Sequence, residues 1–272
     1  MSIQRDPDGR RSVRVEVELP GSPEQVWQAI ATGPGISAWF VPTQVDGRSG
    51  GEIVSDFGPG MMSTAKITAW NPPFRFAATS EGWAPGMPPL ATEWTVETKD
   101  GGACIVRVVH SLFASSDEWD QQIEGTETGW ASFFRVLRRY LEHFAGEASA
   151  LVQASAMTGE PVEKAWASLT AAMLGGEPKP GQPLSISLSP GVALAGKVER
   201  IDDLGHGHNL QVLLETPAPG TLLVGAYGCG GTMVSASAYF YGPHAEQAAT
   251  ATRPHLSSWI ATQFPAPSVP TN

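Results

Sequence analysis

The 272-residue chain is 42% hydrophobic and 16% charged, which excludes the disordered class, and its length suits two folded domains of about 130 residues each. Its net charge of −10 has no basic block to offset it, the densest basic run being Arg135, Arg138 and Arg139 on one helix face, so nucleic acid and anionic membrane are excluded as partners. No stretch approaches the roughly 18 uninterrupted apolar residues of a membrane span, and two distant cysteines, Cys104 and Cys229, offer no CxxC pair and point to a reducing compartment.

Residues 1–12, MSIQRDPDGRRS, carry no apolar leader and read as the disordered or extended N-terminus of a cytoplasmic protein. Segment 13–19, VRVEVEL, alternates without fault, with Val13, Val15, Val17 and Leu19 on one side, and predicts a half-buried strand. Ser22 is a good N-cap and Pro23 a good first helical residue for EQVWQAI, whose Val26, Trp27 and Ile30 share a face. A Gly-Pro-Gly break follows, then a second small apolar cluster of Ile36, Trp39 and Phe40 at helical spacing. Both helices are too short to stand alone and must close over something larger.

Segments 52–57, 63–70, 74–80, 92–98 and 103–110 predict further strands, separated by the turn sequences GPGM, NPP and KDGG; the last reads as a hairpin. Lys66, Arg75, Glu93, Glu97 and Arg107 mark the outer face of the antiparallel sheet. That parity sends Ala65, Ile67, Ala69, Phe74, Phe76, Ala78, Trp94, Val96, Cys104, Val106, Val108 and His110 inward. The inner mixture of large rings and alanines is compatible with an enclosed space. Segment 126–145 predicts the longest helix, with Trp130, Phe133, Phe134, Leu137, Leu141 and Phe144 on one stripe and Ser132, Arg135, Arg138, Arg139 and Glu142 opposite; Gly146 is placed to end it.

The second half replays the first in weakened form. LVQASAMTGEPVEKAWASL (151–169) can be laid against VEVELPGSPEQVWQAI (15–30), AGKVERID (195–202) against TAKITAWN (64–71), and CGGTMVSASAYFYG (229–242) against DGGACIVRVVHSLF (100–113). A final helix over 244–264 takes the place of the long one, with Pro254 expected to kink or divide it, and nothing answers to SAWF. The domains expected are therefore 13–146 and a shortened 147–265, with a tail over 266–272.

With VWQAI…SAWF, TAKITAWNPPFRFAAT, TEWTVETKDGGACIVRVVHSLF and GWASFFRVLRRYLEHF in order, residues 13–145 resemble the START-like, or SRPBCC, superfamily. Within it they look like bacterial relatives of the C-terminal domain of the activator of the 90-kDa heat-shock protein ATPase. The resemblance implies an α+β helix-grip fold: a curved antiparallel sheet wrapped on a long C-terminal helix, with a hydrophobic cavity between them. The internal repeat makes the second half a degenerate copy of it. No single reaction is implied, because the superfamily includes lipid carriers, hormone receptors, aromatic polyketide cyclases and co-chaperone domains.

Among residues that could carry chemistry, His110 ends the inward face of the last strand, as a polar anchor, an acid–base group, or a histidine hydrogen-bonded at the sheet edge. Cys104 shares that face with no base paired to it. His206 and His208 lack a third metal ligand and read as a solvated turn, while Asp117, Glu118 and Asp120 around Trp119 compensate a helix dipole. The aromatics are more numerous than one small core needs. The expected function is binding of a small hydrophobic or aromatic molecule by Trp39, Phe40, Phe57, Phe76, Trp83, Trp94, Cys104, His110, Trp130 and Phe134, with no catalytic residue, cofactor or metal. The alternatives are a polyketide cyclase-like enzyme and a co-chaperone-like interaction module whose partner is a chaperone or other protein.

Overall fold

In the computed structural model the described residues are 4–5, 9–58, 61–81, 88–113, 120–228 and 231–265, with the backbone alone at 113 and 120–129. The chain divides into two units, Met1–Gly146 and Glu147–Asn272. No helix among the described residues is long and apolar enough to cross a membrane.

The first unit begins with β1 (Gln4–Arg5), which pairs with the opening of β2 (Arg10–Pro20). Then come α1 (Pro23–Ala31), α2 (Gly33–Ser37), β3 (Thr43–Val45), β4 (Glu52–Asp56), β5 (Met62–Asn71), β6 (Arg75–Ser80), β7 (Leu90–Lys99), β8 (Ala103–Phe113) and α3 (Asp120–His143). One antiparallel sheet takes all eight strands in the order β1-β2-β8-β7-β6-β5-β4-β3. The KDGG segment makes the expected hairpin: Lys99 pairs with Ala103, and Gly101 and Gly102 hold φ of 85° and 76°, the left-handed region that side chains resist.

The start of α1 follows from its sequence. Ser22 Oγ accepts from Gln25 N–H at 3.3 Å while Gln25 Oε1 accepts from Ser22 N–H at 2.9 Å, a reciprocal cap. The Gly-Pro-Gly segment does not break the chain between helices. It opens α2, with Thr32 as N-cap receiving Gly35 N–H at 3.1 Å and Pro34 where a missing N–H costs nothing. Gly35 lies against α1 so closely that a Cβ there would stand 1.9 Å from Gln28 O. Trp39 and Phe40 follow α2, and Trp39 Nε1 donates to Ala29 O at 2.9 Å, tying the segment back to α1.

The inner face of the sheet buries Ile67, Phe76, Ala78, Trp94, Val96, Cys104, Val106, Val108 and His110. Two inward expectations are overturned. A bulge at Thr68 shifts the pairing of β5 with β6, so Ala69 opposes Ala77 and joins the face of Glu93, while Trp70 opposes Phe76 and turns inward. Phe74 precedes β6 in the turn after β5, bonded through its N–H to Asn71 O, and is 48% exposed. On α3, Ser132 is buried where an outer position was expected; Val136 and Tyr140 are buried too, because the helix packs on α1 as well as on β2. Arg138 donates to Glu18 O at 2.6 Å, fixing α3 on β2.

Outside, the sheet carries paired charges. Arg107 bridges Glu97 at 2.7 Å and Glu16 at 3.1 Å, Arg14 reaches Glu16 at 2.6 Å, and Arg75 and Lys99 hold Glu93 and Glu18.

The second unit runs β9 (Ser149–Thr158), α4 (Val162–Leu174), β10 (Pro183–Ser189), β11 (Val192–Asp203), β12 (Gly207–Thr216), β13 (Gly220–Gly228), β14 (Thr232–Tyr241) and α5 (Ala245–Gln263). Its antiparallel order, β10-β11-β12-β13-β14-β9, is that of the first sheet without β1 and β3, with α4 standing alone where α1 and α2 stand in the first unit. β10, β12 and β13 have no counterpart among the sequence motifs matched above. The core is mostly aliphatic, built on Val152, Leu169, Leu194, Leu210, Val212, Leu222, Val224, Val234 and a run of alanines with Phe240 and Phe264 among them, and α5 lays Ala248, Ala249, Leu256 and Ile260 on it. Pro254 does not divide α5. The carbonyl that its missing N–H leaves behind belongs to Thr250, an exposed residue on the side open to water. Both units are thus α+β helix-grip arrangements, an antiparallel sheet holding a C-terminal helix.

Candidate functional site

The inward rings of the first unit converge beneath α3. Trp94 on β7 lies 5.2 Å from Trp130 at 88° and 6.0 Å from Phe134 at 82°, edge against face, and 5.8 Å from Phe76, with which it stacks at 10°. Trp39 meets Trp94, Trp130 and Phe134 at 6.2–6.3 Å. Phe40 stacks on Trp130 at 5.1 Å and packs edgewise on Phe133 at 4.7 Å and Phe57 at 5.6 Å. Exposure grades along this set. Trp39 is 1% exposed, Phe40 and Trp130 are half-buried, and Phe57 is 42% exposed, so the cluster opens at the Phe40–Phe57 end.

Of the other expected site residues, Trp83 lies outside the described residues, as do Asp117, Glu118, Trp119 and Cys229. Cys104 is buried and donates to Gly21 O at 3.4 Å, at the end of β8 that faces the start of α1, about 20 Å along the strand from His110. Burial, with Glu24 adding to it, pushes its thiol above the ordinary range, away from thiolate chemistry. A second ring group, Trp27 with Trp70 at 5.0 Å and with Phe76 at 5.7 Å, joins the first through Phe76. Sequence parity hid it by placing Trp70 on the outer face.

His110 is the polar centre of the cluster, 6% exposed. Trp130 Nε1 stands 2.5 Å from His110 Nε2, and His110 Nδ1 stands 2.9 Å from Thr92 Oγ1. An indole N–H can only donate, so Nε2 accepts, Nδ1 carries the proton, and Thr92 Oγ1 receives it. Burial pushes the His110 pKa down to about 4, which keeps the ring neutral at neutral pH. Thr92 escaped the reading of single motifs, yet the signal was present: equal steps back from the Asp100–Gly102 turn put it opposite His110.

In the second unit His206 is exposed in the turn between β11 and β12, whereas His208 lies in β12, its Nε2 2.8 Å from Glu163 Oε2 and its ring 5.5 Å from Trp166. No group of three or more His, Cys, Asp and Glu is placed to hold a metal among the described residues.

Residues 20–142 match the family described as Activator of Hsp90 ATPase homolog 1-like protein. No curated protein matches the chain. Among solved structures, DynU16, a putative protein in the dynemicin biosynthetic locus, is 19% identical over 94% of this chain and 97% of its own, with a TM-score of 0.43. The di-domain ARO/CYC BexL from the BE-7585A biosynthetic pathway is 15% identical over 95% and 100%, with a TM-score of 0.46. The Aha1 dimer from Colwellia psychrerythraea is 23% identical over 48% and 96%, with a TM-score of 0.41. At these scores the likenesses bear no weight on function. The family match, in contrast, runs from the end of β2 to the last turn of α3 and takes in every ring of the two groups described in the first unit, so that over this stretch the first unit is similar to that family.

Proposed function

We propose that the first unit binds a small hydrophobic or aromatic molecule against the wall formed by Trp39, Phe40, Trp94, Trp130 and Phe134. The supporting observation is the graded ring cluster: tightly buried at Trp39 and Trp94, half-buried at Phe40 and Trp130, open at Phe57. A ligand enters at the open end by displacing Phe57 and Phe40. Burying about 150–250 Å² of ring surface contributes on the order of 4–6 kcal/mol before the cost of association. The second unit, with its mostly aliphatic core and no counterpart of the Trp39–Phe40 segment, contributes no such wall.

Titration of the full chain with a naphthalene-based fluorescent probe tests this. Trp130→Ala is expected to weaken binding about tenfold or more, whereas Trp259→Ala, on α5, lowers the melting temperature and leaves the affinity unchanged. Equal losses in both variants, each folded by circular dichroism, would refute the assignment to the first unit.

A second reading, a protein-interaction module of the kind the family's description names, has the match over 20–142 in its favour. The outer sheet face speaks for the small molecule, since its Glu16, Glu18, Glu93 and Glu97 are engaged by cations of the same face.

A further inference from the structure

The hydrogen-bond chain around His110 has a direction, and the direction is set by its first member. Trp130 can only give a proton, His110 passes the polarity across its ring, and Thr92 Oγ1 receives the Nδ1 proton. A hydroxyl that accepts in this way still has its own hydrogen to give. Thr92 lies on the inner face of β7, half-buried, and its neighbours there are Leu90 and Trp94 along the strand, Ala78 across on β6 and His110 across on β8. None of these side chains offers an acceptor: two are aliphatic, the indole donates only, and the imidazole nitrogen that faces Thr92 bears hydrogen.

We propose that Thr92 donates a hydrogen bond to the bound molecule, so that the site selects a hydrophobic molecule bearing an acceptor oxygen, such as an aryl ketone or quinone carbonyl. This rests on the reading of the first unit as the binding unit and adds the polarity of the ligand to it. Across on β6, Ala78 presents only a methyl group to the hydroxyl, and Trp94 follows Thr92 on the same face of β7. His110 Nε2 is occupied by Trp130, so the imidazole itself offers the ligand no acceptor and the polar contact falls to the Thr92 hydroxyl.

The test compares methyl naphthyl ketone with isopropylnaphthalene, which has the same shape without the acceptor, by titration against the full chain, Thr92→Val and Thr92→Ser. The ratio of the two affinities is the readout, since it cancels general effects of a substitution on the site. The expected result is that Thr92→Val shifts this ratio about five- to tenfold against the ketone, while Thr92→Ser, which keeps the hydroxyl, retains the native ratio. An unchanged ratio in Thr92→Val, with both probes bound, would overturn the role of Thr92 and leave the binding reading standing. Loss of the native ratio in Thr92→Ser would likewise overturn it. Failure of both probes to bind the native chain would overturn the binding reading and this inference with it.

Discussion

At the scale of single residues, His110 links stability to pH. Its pKa is about 4 in the fold against an ordinary value of 6.5, because burial penalises the charged ring. Below pH 6.5 the unfolded chain takes up a proton that the folded chain refuses, so stability present at neutral pH is lost as pH falls, and the loss ends near pH 4 where the folded ring protonates too. The contribution is about 2 kcal/mol by pH 5 and about 3 kcal/mol by pH 4. Urea denaturation of the native chain and of His110→Phe at pH 7 and pH 5 should show the native chain losing about 2 kcal/mol more than the variant; parallel losses would mean that the histidine is reached by solvent. The inward position of His110 was legible from strand parity alone. Its partners were not legible from any one segment, because Thr92 and Trp130 come from different elements and meet it only once the β7–β8 register and the placement of α3 are both set.

At the scale of elements, the contact between α1 and α2 depends on one missing side chain. A Cβ on Gly35 would meet Gln28 O at 1.9 Å and Ala29 Cα at 2.9 Å, both backbone atoms that cannot rotate away. Gly35→Ala must therefore separate the two helices, and because Trp39 is bonded to Ala29 O it loosens the buried end of the aromatic wall as well. We expect a loss of about 2 kcal/mol or more, measured by chemical denaturation, with probe affinity falling in parallel; a variant as stable as the native chain would mean that the helices sit farther apart than described. Reading Gly-Pro-Gly as a break and not as a helix start was an ambiguity of the residues themselves, since Pro suits the first turn of a helix and the end of one equally in isolation. The bulge in β5 is different. Regular alternation carried past Thr68 puts the large apolar Trp70 on the charged face, and that misfit was the available sign that the strand adds a residue there. Pro254 leaves α5 undivided, since a breaker is tolerated where the freed carbonyl faces water.

At the scale of the whole molecule, the same strand order occurs twice with different fillings. Rings fill the first sheet's concave side, whereas mainly alanines and aliphatic side chains, with Phe240 among them, fill the second's. Strand order survives such changes because it depends on alternation and turns, while the space under the helix depends on side-chain volume. This is also why the repeat was visible in the sequence only at β9, β11, β14 and the helices, where turn residues and spacing are kept. We propose that the two units are separable domains. Residues 1–146 made alone should then melt cooperatively and bind the naphthalene probe with the affinity of the full chain, as circular dichroism and titration would show; a fragment that fails to fold would mean that the boundary near Gly146 does not mark an autonomous domain.

Rings held this close also share their excited states. Trp27 with Trp70 at 5.0 Å, and Trp94 with Trp130 at 5.2 Å, lie within coupling range of one another's transition dipoles, and Trp39 at 6.2–6.3 Å links the latter two. Light absorbed by one indole is therefore delocalised or passed on among them, and the optical activity of these pairs changes sign and strength with their mutual angle. The aromatic wall is thus a built-in antenna: any molecule that shifts Trp130 against Trp94 alters the near-ultraviolet dichroism and emission of the unmodified protein, and occupancy can be followed without a label.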